Sequence, residues 1–230
     1  MKPALDTQAG ESKPRLVEQS LPGGATIRFV VPTPAAEITP EKLPRLEVSG
    51  LPGARVALRL GFAGETHAHV LVACVEAPSD RWAPGMEDVV FNMANGFAHR
   101  ALSEQLVIAA WEPSAIATMD KRFEQQLSGT ARRDTSSVKV VGKHILGFAG
   151  TKPDVVLCSV LCHEPTDLDA CTSLVTEAKI SGLVEAPAPS LLVQAVFHAA
   201  EKPVQAAGIL GVLGLLIVGI VLAKRPRPRA

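Results

Sequence analysis

The chain is 230 residues long, 47% hydrophobic, with 23 basic and 23 acidic side chains, a composition that can fill a core and does not suit a disordered chain. Four of the basic residues, Lys224, Arg225, Arg227 and Arg229, fall at the C-terminal end, so the 23 basic groups less these four leave 19 against 23 acidic ones in the body. With aromatics at 4% and no Tyr, that body lacks both the charge to attract phosphate backbones and the rings to stack on bases, and nucleic acid is not an expected partner.

The opening stretch MKPALDTQAGESKPRL mixes charges with isolated apolar residues and has no apolar segment of signal-peptide type, so residues 1–20 are expected to be a flexible leader. A soluble domain is expected over 21–203. Its first strands are predicted at 25–31 and 46–48, separated by a Pro-rich loop.

An internal repeat follows. GFAGETHAHVLVACVEAP, from Gly61, aligns with GFAGTKPDVVLCSVLCHEP, from Gly147, so that Val70 and Leu71 fall on Val156 and Leu157. Each copy, about 50–128 and about 137–201, reads as hairpin, helix, strand, helix. The hairpins pair 55–62 with 69–76, and 138–148 with 154–162. Helices are predicted over 84–103 and 167–179, and short strands over 106–111 and 183–185. Pro113-Ser114 and Pro189-Ser190 are expected to open further helices, over 113–127 and 189–200, because Pro and Ser favour helix beginnings. The segment 128–137 reads as a polar connector. The expected fold class is α+β, a mainly antiparallel sheet with packed helices and an internal duplication.

The chain closes on AAGILGVLGLLIVGIVLA, from Ala206 to Ala223, in which 18 consecutive residues lack charge. As a helix this run would extend about 27 Å, so 204–223 is expected to be a C-terminal transmembrane helix embedded in the lipid bilayer, followed by the basic tail 224–230. Over its last 25 or so residues the chain resembles tail-anchored proteins, which implies a cytosolic body and a C-terminus across the membrane. The Ala-, Val- and Arg-rich usage resembles that of high-GC bacteria and points to a bacterial plasma membrane. Ala207 and Gly211, and again Gly219 and Ala223, are small residues four apart, a spacing that permits close helix packing and a homodimer.

Cys162, His163 and Cys171, with Cys158 just before them, are the one group with potential metal or redox chemistry. The spacing lacks paired Cys-x2-Cys knuckles, and on a strand Cys158 and Cys162 would stand about 13 Å apart, too far for one ion. Neither a metal nor a cofactor is expected. In a reducing cytosol the cysteines are expected to be buried free thiols, with a Cys162–Cys171 disulfide as the alternative should the body lie outside it. No phosphate loop, HExxH, dinucleotide fingerprint or nucleophile elbow is present, so no catalytic residue is assigned. The leading expectation is a non-catalytic, membrane-tethered protein-interaction or accessory module. The alternatives are a thiol or redox enzyme using Cys162, His163 and Cys171, and a lipid or small-ligand binding domain.

Overall fold

The computed structural model describes residues 14–46, 53–64, 68–80, 82–166 and 169–189. The chain divides into two units, Met1–Ser79 with Gly85–Pro187, and Asp80–Pro84 with Ala188–Ala230. The described residues of the second unit carry no helix or strand. The helices and strands belong to the first.

Its strands are β1 (Arg15–Ser20), β2 (Thr26–Val31), β3 (Ala35–Glu37), β4 (Arg55–Gly64) and β5 (His69–Ala77) before the helix α1 (Met86–Ser103). After it come β6 (Val107–Pro113), β7 (Ala117–Met119), β8 (Arg122–Arg133), β9 (Ser136–Ala149) and β10 (Asp154–Pro165). A short helix α2 (Ala170–Thr176) and β11 (Lys179–Ser181) complete the described elements. The large sheet has eight strands, seven of them in the order β3-β4-β5-β10-β9-β8-β6 with β7 beside β8, and a three-stranded sheet has the order β1-β2-β11. Every pairing is antiparallel.

Residues on β5, β10 and the second half of β9 are buried or half-buried on both faces, the pattern of a strand covered on both sides, whereas β8 exposes alternate residues from Gln126 to Arg132. Odd-numbered positions of β10 face α1. Even-numbered ones, Val156, Cys158, Val160 and Cys162, join a core with Ile27, Phe29 and Val31 of the small sheet and Cys171, Leu174 and Val175 of α2. The helix α1 buries Val90, Phe91, Ala94, Asn95, Ala98 and Leu102, whose spacing of three and four places them on one stripe. Glu87 and Asp88 in its first turn and Arg100 in its last complement the helix dipole.

The molecule is therefore β-rich, with few helices, and the expected α+β fold with repeated packed helices is corrected. The clearest case is 113–127, expected as a helix and folded as strands. Pro113 ends β6, and Ser114 instead donates its backbone N–H to the Gln126 carbonyl at 2.8 Å. The run RFEQQL then sits in β8, paired along its length to β9 and over Arg122 to Glu124 to β7, so ladder pairing overrides the helix preference of its Glu and Gln. The connector expected over 128–137 is mostly strand too, closed by a tight turn at Asp134 and Thr135. The two Gly-Phe-Ala-Gly tetrapeptides end β4 and β9 and lead into hairpins, but the stretches after them diverge. The helix α1 covers one face of the large sheet and α2 the other, while β6 joins the large sheet and β11 the small one.

Among the described residues no helix is long and apolar enough to cross a membrane. The membrane helix expected over 204–223, with Ala207, Gly211, Gly219 and Ala223, lies outside the described residues. The expectations of a membrane protein and of a tail anchor rest on that segment and find no support among the described residues. The helix expected over 189–200 and the strand expected at 46–48 fall wholly or mostly outside the described residues as well.

Candidate functional site

A row of cross-strand partners runs over the α1 face of the large sheet: Arg59 on β4, Ala73 on β5, Ser159 on β10, His144 on β9 and Gln125 on β8. Directly opposed residues share a face, so these five side chains all rise toward α1. A parallel row, Leu71, Leu161, Gly142 and Leu127, lies beside it.

Above the Arg59 half of the row is a narrow apolar slot of about 50 Å³. Ala94, Phe97, Ala98 and Ala101 of α1 form its roof, Leu71, Ala73, Leu157, Ser159 and Leu161 its floor, and Leu43 to Leu46 one side. The space exists because small side chains, Ala73 below and Ala94, Ala98 and Ala101 above, meet where larger ones would fill the layer. Arg59 fixes the side wall. Its guanidinium donates to the carbonyls of Pro44 at 3.2 Å and Pro40 at 3.0 Å, holding the loop against the sheet. Arg45, on the same loop, is exposed.

At the end of the slot a polar chain leads under α1. Ser159 Oγ lies 2.7 Å from His144 Nδ1, and His144 Nε2 lies 3.2 Å from Asn95 Oδ1. Asn95 Nδ2 donates to Gln125 Oε1 at 3.0 Å, and Gln125 Nε2 donates to the Ser114 carbonyl at 2.9 Å. His144 is fully buried, and burial holds its imidazole far below the ordinary value, down to about 3, so it is neutral. Ser, His and Asn in this order resemble a nucleophile, base and orienting group. The strand that carries Ser159 nevertheless has both edges paired, to β5 and to β9, so its backbone N–H groups serve the ladder and supply no oxyanion donors. The arrangement is a satisfied polar network with one hydroxyl facing an apolar slot.

The residues singled out by sequence separate. Cys162 and Cys171 form a disulfide between β10 and α2, with both residues fully buried. His163, next along the strand, points to the opposite face. It stacks on His69 with ring centroids 4.7 Å apart, and its Nδ1 is 3.4 Å from Arg133 Nη2. Burial first, and then the charges of His69 and Arg133, lower its pKa to about 3. Strand alternation thus divides the cluster that looked contiguous in sequence. Cys74 and Cys158 form a second disulfide between directly opposed positions of β5 and β10. The expectation of free thiols is corrected, since no cysteine is free. Among the described residues no group of three or more His, Cys, Asp or Glu is placed to hold a metal ion. Redox chemistry at Cys162 or Cys171 requires an accessible sulfur, which their burial does not provide.

Two further buried polar features are structural. Glu164, fully buried, accepts the N–H of Ala170 at 3.1 Å and of Cys171 at 2.8 Å, and so caps α2. Glu124 pairs with Lys143 at 3.0 Å and Arg122 at 2.7 Å. Burial raises its pKa, but the hydrogen bonds and charges of Lys143 and Arg122 outweigh that and leave it lowered.

Sequence reading missed Ser159, His144, Asn95 and Gln125. The available signals were a lone His inside the apolar run VVGKHILGF and a lone Asn on the apolar stripe of α1, each a polar group that burial obliges to find a partner.

No family model matches the chain and no curated protein matches it. Among solved structures the chain is similar to LpqN of Mycobacterium tuberculosis, a protein described as involved in cell envelope biogenesis. The likeness covers 73% of this chain and 90% of that one, at 16% identity and a TM-score of 0.40, and carries no weight for fold or function.

Proposed function

We propose that this domain is a non-catalytic accessory module that binds a slender apolar chain in the slot beneath α1, and that it works in an oxidising compartment. The slot itself carries the reading: a nearly all-apolar channel, walled by a loop that Arg59 ties in place, between a helix and sheet that are otherwise closely packed. Its volume of about 50 Å³, below the ~150 Å³ of a cavity that admits benzene, takes the leading few atoms of an unbranched hydrocarbon segment rather than a ring, the remainder of a longer probe staying outside. Two disulfides support the compartment, because such bonds persist where thiols are not kept reduced.

The test is a calorimetric titration of the full chain with 1-hexanol and pentyl methyl ether, repeated on Ala101→Leu, which fills the slot from the roof. Saturable binding to the natural chain, weakened at least about tenfold in a variant with an unchanged circular dichroism spectrum, is the expected result. Absence of saturable binding of both compounds to the natural chain would remove the proposal.

A further inference from the structure

Resting on the slot as a binding site, we infer that Ser159 selects its occupant: the hydroxyl offers only acceptor lone pairs to the slot, so the bound chain carries a hydrogen-bond donor, a hydroxyl or an N–H, at its inner end.

The direction of the polar chain fixes this, and a backbone carbonyl fixes the direction. The Ser114 carbonyl can only accept, so the Gln125 group facing it at 2.9 Å is the NH2, which turns Gln125 Oε1 toward Asn95. Asn95 must then present Nδ2 to Gln125 at 3.0 Å and Oδ1 to His144. The opposite amide assignment would set two carbonyl oxygens against each other at the Ser114 end, which is why the network itself decides the orientation. Facing Oδ1 at 3.2 Å, His144 Nε2 carries the proton. The ring is neutral in its buried setting, so Nδ1 has a lone pair and accepts the Ser159 hydroxyl proton at 2.7 Å. Each donor in the series is committed in turn, from Ser159 through His144, Asn95 and Gln125 to Ser114.

A serine hydroxyl has one proton and two lone pairs. With the proton spent on His144, the lone pairs of Ser159 remain, and no described residue donates to them. Ser159 is the polar group on the slot's floor at the point where the floor passes into the network, and it is half-buried rather than sealed. An acceptor left unmatched beside an apolar ligand loses its hydrogen bonding to water without replacement, so an occupant that donates is favoured over one that cannot. At the other end of the same row lies Arg59, two strands away and therefore about 10 Å distant in backbone terms, a span that suits a short chain lying across β5.

Two isomers distinguish donor from acceptor at constant composition. The alcohol 1-hexanol donates and accepts, whereas pentyl methyl ether only accepts, and the alcohol is the more costly of the two to remove from water. Calorimetric titration of the full chain is expected to give at least about tenfold tighter binding of 1-hexanol, with the ratio falling to one or below in Ser159→Ala. Equal binding of both isomers to the natural chain overturns the role of Ser159 while leaving the slot as a binding site. Binding of neither overturns the slot and, with it, this inference. The isomer ratio on the natural chain decides the matter even if Ser159→Ala does not fold.

Discussion

His144 is held neutral by its surroundings, and that has a consequence for pH. Its folded-state pKa, like that of His163, is depressed from 6.5 to about 3 by burial, so in the interval between these values the unfolded chain binds protons that the native state refuses. Stability is thus complete above about pH 6.5 and declines as pH falls toward 3, by up to ~1.4 kcal/mol per pH unit for each histidine. Replacing His144 with Gln, which keeps a neutral donor and acceptor, is expected to remove one histidine's share of that slope. Urea midpoints at several pH values between about 6 and 5, above the carboxylate range, measure it, and an unchanged slope in the variant would count against the assignment. The residues of this network were individually visible in sequence only as polar exceptions in apolar runs. Cys162 and His163 were the opposite case, adjacent in sequence and parted by the two-residue period of the strand, while Cys171 meets Cys162 across the loop.

At the scale of elements, β8 is the instructive one. Gly129 lies opposite Trp111, beside the irregularity between Ile108 and Ala110 in β6. A Cβ placed on it would come within 2.7 Å of the Ala110 backbone oxygen. Backbone cannot move aside as a side-chain tip can, so Gly129→Ala is expected to lower stability by about 1–3 kcal/mol, read from the shift in denaturation midpoint. A loss below about 0.5 kcal/mol would mean that β6 yields at the bulge. The hairpin strands over 55–62, 69–76, 138–148 and 154–162 and the helix over 84–103 were legible because their apolar spacing agrees with their structure, as β4, β5, β9, β10 and α1. The segment 113–127 was not, because its Glu, Gln and Lys favour a helix locally and only cross-strand pairing, of β7 with β8 and of β8 with β9, makes it strand.

For the whole molecule, the disulfides join what the sheets bring together. Cys74–Cys158 links residues 84 apart in sequence, and Cys162–Cys171 residues 9 apart. In the chain-entropy account the longer closure contributes ~4.5 kcal/mol and the shorter ~2.5 kcal/mol, so the double variant Cys74→Ala with Cys158→Ala is expected to lose more stability than Cys162→Ala with Cys171→Ala. The reverse order would show that native packing, not the unfolded chain, sets the difference. Alkylation in denaturant of the natural chain, collected from its cells without reductant, is expected to label no cysteine, and labelling of all four would overturn the oxidising compartment.

Periodicity, charge and motif spacing are local properties of the chain, and they sufficed for the strand-rich hairpins, the stripe of α1, the weakly acidic body and the want of any catalytic motif. Which face each strand residue serves, the pairing of the four cysteines, and the meeting of Ser159, His144, Asn95 and Gln125 emerge only on folding. Those outcomes depend on register between strands far apart in sequence, and a shift of one residue would send every side chain of a strand to the other face.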